Sequence, residues 1–120
     1  MKMPDTKEYK NTATGIEFET DEKFNNKIVF KKVIDFGAMP NNTSKSVPHN
    51  ITDGDKILDV NIFCNNINTN NFGGIYFPHL ASATQYMELQ ITTQNVFISC
   101  NKDMSNFNAL VTIKYTKKEN

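Results

Sequence analysis

Hydrophobic residues recur at every second position in short bursts along this chain, and the bursts are parted by Asn, Gly, Asp and Pro. No segment holds a 3.6-residue period over a helix-length window, so the pattern is that of strands and turns. The bursts are Lys27–Phe36, Ser44–His49, Ile57–Cys64, Ile75–Pro78, Thr84–Thr92, Val96–Cys100 and Phe107–Thr116. In Ile57–Cys64 the alternation is plain: Leu58, Val60, Ile62 and Cys64 share one face, and Ile57, Asp59, Asn61 and Phe63 share the other. Met87, Leu89 and Ile91 alternate with polar partners, and the tight "TQN" that follows predicts a hairpin with Val96–Cys100. Phe107, Ala109, Val111, Ile113 and Tyr115 form one face of the last strand. Short strands at this spacing predict an all-β fold, an antiparallel β-sandwich of jelly-roll-like kind with seven or eight strands. Residues 1–23 are polar and aperiodic and predict a flexible or extended lead-in, with the sandwich running over residues 24–120.

The stretch "FNNKIVFKKVIDFG" poses a problem of cover. Ile28, Phe30, Ile34 and Phe36 fall on one face, interrupted by Lys32, while Val29 and Val33 fall on the other beside Lys31 and Asp35. A strand with one buried face is expected to be polar on its second. Val29 and Val33, with Phe63, are therefore candidate oligomer-interface residues, the rival being a sandwich in which this strand is central and covered by its own chain.

A chain of 120 residues is one domain by length and can bury a core without a metal or disulfide staple. All thirteen basic residues are Lys, matched by thirteen acidic ones. With no Arg and no basic excess, nucleic acid is not an expected partner. Seventeen Asn residues reflect an AT-rich coding bias, and they also supply amides that suit sugar hydroxyls. Cys64 and Cys100 belong to no metal-binding spacing and read as buried free thiols. The N-terminus lacks the apolar core of a secretory signal, and no run is long and apolar enough for a membrane helix. Three N-x-[ST] triplets, at Asn41, Asn42 and Asn50, follow from the abundance of Asn and Thr.

No catalytic pattern emerges, and neither a metal nor a cofactor is expected. There is no nucleophile elbow. His49 and His79 each follow a Pro and read as turn-capping or surface residues. Asp53-Gly54-Asp55 lacks the further oxygen ligands of a calcium loop and reads as a turn. Asp35, Asp59 and Glu88 would serve glycoside hydrolysis only if two of them faced one groove. The richest binding surface is the loop "NNINTNNFGG". Asn65, Asn66, Asn68, Asn70, Asn71, Phe72 and the following Tyr76 are candidates for holding a glycan, by amide hydrogen bonds and ring stacking.

Four stretches, "FETDEKF", "NNKIVFKKVIDFGAMPNNTSKSVPHNI", "DKILDV" and "FNALVTIKYTKKEN", resemble the C-terminal module of tailed-bacteriophage fibre proteins, over roughly residues 18–118. Phe24, Asn25, Asn26 and Lys27 stand where that family carries Trp, Asp, Gly and Lys, and Phe30 stands at its Tyr. Phe36, Gly37, Pro40 and Asn41 match a Phe-Gly-x-x-Pro-Asn loop, His49 and Ile51 match His-x-Ile, and Tyr115, Thr116 and Lys117 match the closing strand. The resemblance implies a homotrimeric appendage of the virion, assembled in the cytoplasm of the bacterial host. Its implied partners are other virion proteins and a host-surface carbohydrate or receptor. A capsid-decorating or fibre-capping role without a receptor is the other expectation.

Overall fold

The computed structural model describes residues 12–68, 73–76 and 84–118. Eight strands account for most of them: β1 (Phe18–Phe24), β2 (Lys27–Ala38), β3 (Ser44–Pro48), β4 (Gly54–Asn66), β5 (Gly74–Tyr76), β6 (Met87–Ile91), β7 (Asn95–Cys100) and β8 (Phe107–Lys117). They form a five-stranded sheet in the order β1-β2-β8-β4-β5 and a three-stranded sheet in the order β3-β7-β6. Every pairing is antiparallel. The fold is an all-β sandwich, as the alternation predicts, and the described residues contain no helix.

Local chemistry sets the hairpins. Asn25 and Asn26 both take positive φ, 49° and 70°, between the paired Phe24 and Lys27. Two left-handed central residues make a type I′ turn, whose twist suits a tight hairpin and which Asn tolerates. The expected β6–β7 hairpin is present, closing from Ile91 opposite Val96. Its turn is held by the Thr92 hydroxyl, which accepts from the backbone N–H of Gln94 and of Asn95. Gly37 takes φ 77° where β2 slips one residue against β8, and its N–H bonds to the Asp35 carboxylate.

The two sheets enclose one core. Ile34 and Phe36 of β2, Ile62 and Cys64 of β4, and Ala109, Val111, Ile113 and Tyr115 of β8 face Val96, Ile98 and Cys100 of β7. Burying each of the larger side chains stabilises the fold by roughly 1.5–3 kcal/mol. Both cysteines are buried free thiols, as expected, and burial pushes the Cys64 thiol up to about 11.

Three expectations need correction. The sandwich does not begin at residue 24, because Phe18–Phe24 is already a paired edge strand of the larger sheet. Its Thr20 hydroxyl donates to the Val29 carbonyl, and Gly15 N–H donates to Val33 O. Residues 1–11 lie outside the described part. Leu58 does not continue the core face of β4: a bulge between Ile57 and Asp59 turns it toward a hollow that Val29 also lines. Val29 itself is only 3% exposed, so it has almost no area to offer a second copy. Lys114 of β8, tied to Glu22, and the β1 residues Lys23 and Phe24 close around it. The second face of β2 is thus partly sealed within one molecule. Val33 stays half-buried and Phe63 exposed.

The sheets differ in length. β2, β4 and β8 have 12, 13 and 11 residues, whereas β3, β6 and β7 have 5, 5 and 6. At about 3.3 Å per residue the long strands outrun the short ones by roughly 16–26 Å. Part of the larger sheet's inner face therefore extends beyond the smaller sheet.

Candidate functional site

The end of the sandwich where the smaller sheet stops is built from buried polar groups. His49, 4% exposed, lies just after β3. Its Nδ1 accepts from Ile51 N–H at 3.0 Å, so Nε2 carries the proton and donates to Thr92 O at 2.8 Å. The imidazole thereby joins the β3–β4 connection to the β6–β7 turn. It caps a turn, as expected, but from inside the protein. Lys32, 7% exposed, explains the interruption in the apolar face of β2: its ammonium leaves the core to meet Asn50 O at 3.0 Å. Beside it, the Tyr115 hydroxyl donates to Glu17 at 2.6 Å and Lys117 bonds the same carboxylate at 2.9 Å.

These contacts set the charges. Burial raises the Glu17 carboxyl, but the bonds from Tyr115 and Lys117, with the nearby Lys32, outweigh it and hold it below the ordinary range. Burial first, then the bond to Glu17 and its charge, drive Tyr115 far above a normal phenol. His49 and Tyr115 floor a cleft of about 380 Å³ whose rim carries Asp53, Asp55, Lys56 and Lys118. Asp53 sits at φ 57°, as the turn reading of Asp53-Gly54 requires, and Asp55 pairs with Lys27 at 2.8 Å. Hydrogen bonding and charge from Lys27 hold Asp55 below the usual carboxylate range. Among the described residues no cluster of His, Cys, Asp and Glu fits a metal ion.

The second candidate surface is the outer face of the larger sheet. Phe63 and Leu110 are direct cross-strand partners on β4 and β8, 39% and 40% exposed. Asp35 lies opposite Leu110 on its other side, and the neighbouring row is Val33, Thr112 and Asn61. The smaller sheet packs on the opposite face, where the core is.

Of the expected glycan residues, the structure describes the side chains of Asn65, Asn66 and Asn68. Asn65 and Asn66 are half-buried residues at the end of β4, and the Asn66 side chain accepts from Asn68 N–H. Asn68 is exposed. Asn70, Asn71 and Phe72 lie outside the described residues, as do His79 and the side chain of Tyr76. The three carboxylates singled out by type do not converge. Glu88 is on the smaller sheet, bonded to Gln90. Asp35 and Asp59 flank β8 at Leu110 and Lys114, about 13 Å apart along that strand. Glu17, Lys32 and Tyr115 were not anticipated as a group. Lys32 inside an otherwise apolar face was the one signal for them.

Comparison with models of protein families, with curated proteins and with solved structures finds no match.

Proposed function

We propose that this chain is a fibre-type appendage module of a tailed bacteriophage, a homotrimer that works by binding and performs no covalent chemistry. Its partners are copies of itself, other virion proteins and a carbohydrate of the host surface. The observation that carries the reading is the outer face of the five-stranded sheet, where Phe63 and Leu110 stand side by side and exposed on two central strands. An apolar pair in the middle of a broad sheet is an association surface before it is anything else.

The residues that carry the resemblance also support it, because they fall at joints of the fold. Asn25 and Asn26 form the type I′ turn, and Gly37 occupies the slipped position of β2. Pro40 O receives the N–H of Met104, Ile51 N–H bonds His49, and Tyr115 and Lys117 hold Glu17. A module defined by such joints can change its surface while keeping its frame. The internal use of the Asn66 amide favours a second reading, a capsid-decorating or capping protein with no receptor, because it removes one amide from the hairpin tip.

Light scattering at micromolar concentration tests the assembly: a mass three times that of the chain is expected, and a strict monomer sinks the trimer. Fluorescently labelled protein, applied to bacteria and to isolated phage particles, separates the two readings. Labelling of cells supports host attachment. Labelling of particles alone selects the decorating role.

A further inference from the structure

We propose that the overhanging end of the larger sheet is a binding site for an acidic saccharide, with the sugar ring seated on Ile28 and Phe30 and its carboxylate held by Lys23 and Lys118. This names a ligand class for the attachment reading above and rests on that reading only for its biological use.

The site follows from the mismatch in strand length. Ile28 and Phe30 continue the inner face of β2 past the point where the smaller sheet ends. Phe30 still stacks on Tyr115, with ring centroids 6.1 Å apart, whereas Ile28 is 38% exposed. The two form the apolar floor of a hollow of about 340 Å³, wide enough for a monosaccharide unit. Lys23 and Lys27, from the two sides of the β1–β2 turn, and Lys117 and Lys118, from the end of β8, stand around it. Asn26 adds an amide at the turn.

The cations are unequally occupied. Lys27 pairs with Asp55 and Lys117 with Glu17, each at 2.8–2.9 Å. Lys117 also lies 5.2 Å from the centre of the Phe30 ring. Lys118 adds to the charge that holds the Asp55 carboxyl low, but neither it nor Lys23 forms an ion pair among the described residues, so four lysines at the hollow face the two carboxylates of Asp55 and Glu17. With lysines in excess of carboxylates around this concave apolar surface, a further anion is electrostatically favoured there. An apolar floor selects a ring over a bare ion. A sugar ring offers a C–H face to the floor, and its hydroxyls can pair with Asn26. Lysine, a flexible point charge, can serve a carboxylate whose orientation is set by the ring.

The test is calorimetric titration of the whole protein with a short oligogalacturonate and with its neutral methyl ester. The acid form is expected to bind, the ester to bind markedly less, and added salt to weaken the acid form. Lys23→Gln with Lys118→Gln, two exposed-side substitutions, is expected to weaken binding by about tenfold or more, since each removes a charge-assisted contact. Ile28→Ser should weaken the acid and the ester alike, which reports the floor. Lack of binding by the acid form overturns the proposal, as does unchanged affinity in the double lysine variant. Equal affinity for a single-stranded oligonucleotide or for anionic vesicles also overturns it, because attraction would then be unselective. Attachment to bacteria that survives the lysine substitutions removes this hollow as the adhesive site while leaving attachment intact. Saccharide binding by a protein that labels no cells upholds the hollow and removes attachment.

Discussion

At the scale of single residues, the fold depends on positions whose chemistry is readable only in context. Asn26 holds φ 70° in a turn that tolerates Asn or Gly. Asn26→Ala is expected to cost about 1 kcal/mol, the penalty of a Cβ in the left-handed region without the amide's local bonding. Asn26→Gly should be neutral or stabilising. Urea unfolding midpoints distinguish the two. His49 is a stronger case. Its ring satisfies two backbone groups inside the protein, Ile51 N–H and Thr92 O. His49→Ala leaves both unmet and is expected to cost roughly 2–3 kcal/mol, again by urea unfolding. The Asn-Asn turn was legible because turn chemistry is local. The role of His49 was not, because Thr92 lies forty-three positions away and only the sandwich brings them together.

At the scale of elements, seven strands were legible and β1 was not. The strands other than β1 and the three-residue β5 each turn one face toward the core, and burial writes period two into the sequence. β1 is an edge strand, "FETDEKF", whose charged side chains stay in water and guard the edge against pairing with other chains. What holds it is specific: the I′ turn, Thr20 to Val29 O, and carboxylate contacts from Glu17 and Glu22 to β8. The Leu58 misassignment has a related cause, since one bulge reverses the faces before it. Because the folded Glu17 carboxyl is held below its ordinary value of 4.5, it favours the folded state above that value. That contribution is lost as pH falls through the lowered folded value. Wild type should therefore lose more stability between pH 7 and pH 3 than Glu17→Gln, which lacks the contribution at both. Asp55 and Asp103 are also held low and act in the same direction in both proteins, so they cancel in the comparison. Equal pH slopes in urea titrations would show that Glu17 does not anchor β1.

At the scale of the whole molecule, the smaller sheet covers one face of the larger and leaves two regions for use: the overhang at one end and the broad outer face. The first is concave and basic, the second flat and mixed. Sequence alone placed Phe63 and Val33 on the outward side but could not weigh them against Val29, whose cover depends on how β1 and Lys114 fold over it. Leu110 was missed for a simpler reason. It lies between the core residues Ala109 and Val111, and its exposure becomes a feature only when β4 sets Phe63 directly opposite. If this face joins copies of the chain, charges placed at the pair should separate them without disturbing the core on the other side of the sheet. Phe63→Lys with Leu110→Lys adds two ammonium groups that each remain solvated in the monomer but would be desolvated in an assembly. The variant is expected to keep its far-ultraviolet circular dichroism and its unfolding cooperativity while falling to the mass of one chain in light scattering. An unchanged assembled mass would place the contact elsewhere, and the β1 edge and the β6 edge would then be the surfaces to substitute next.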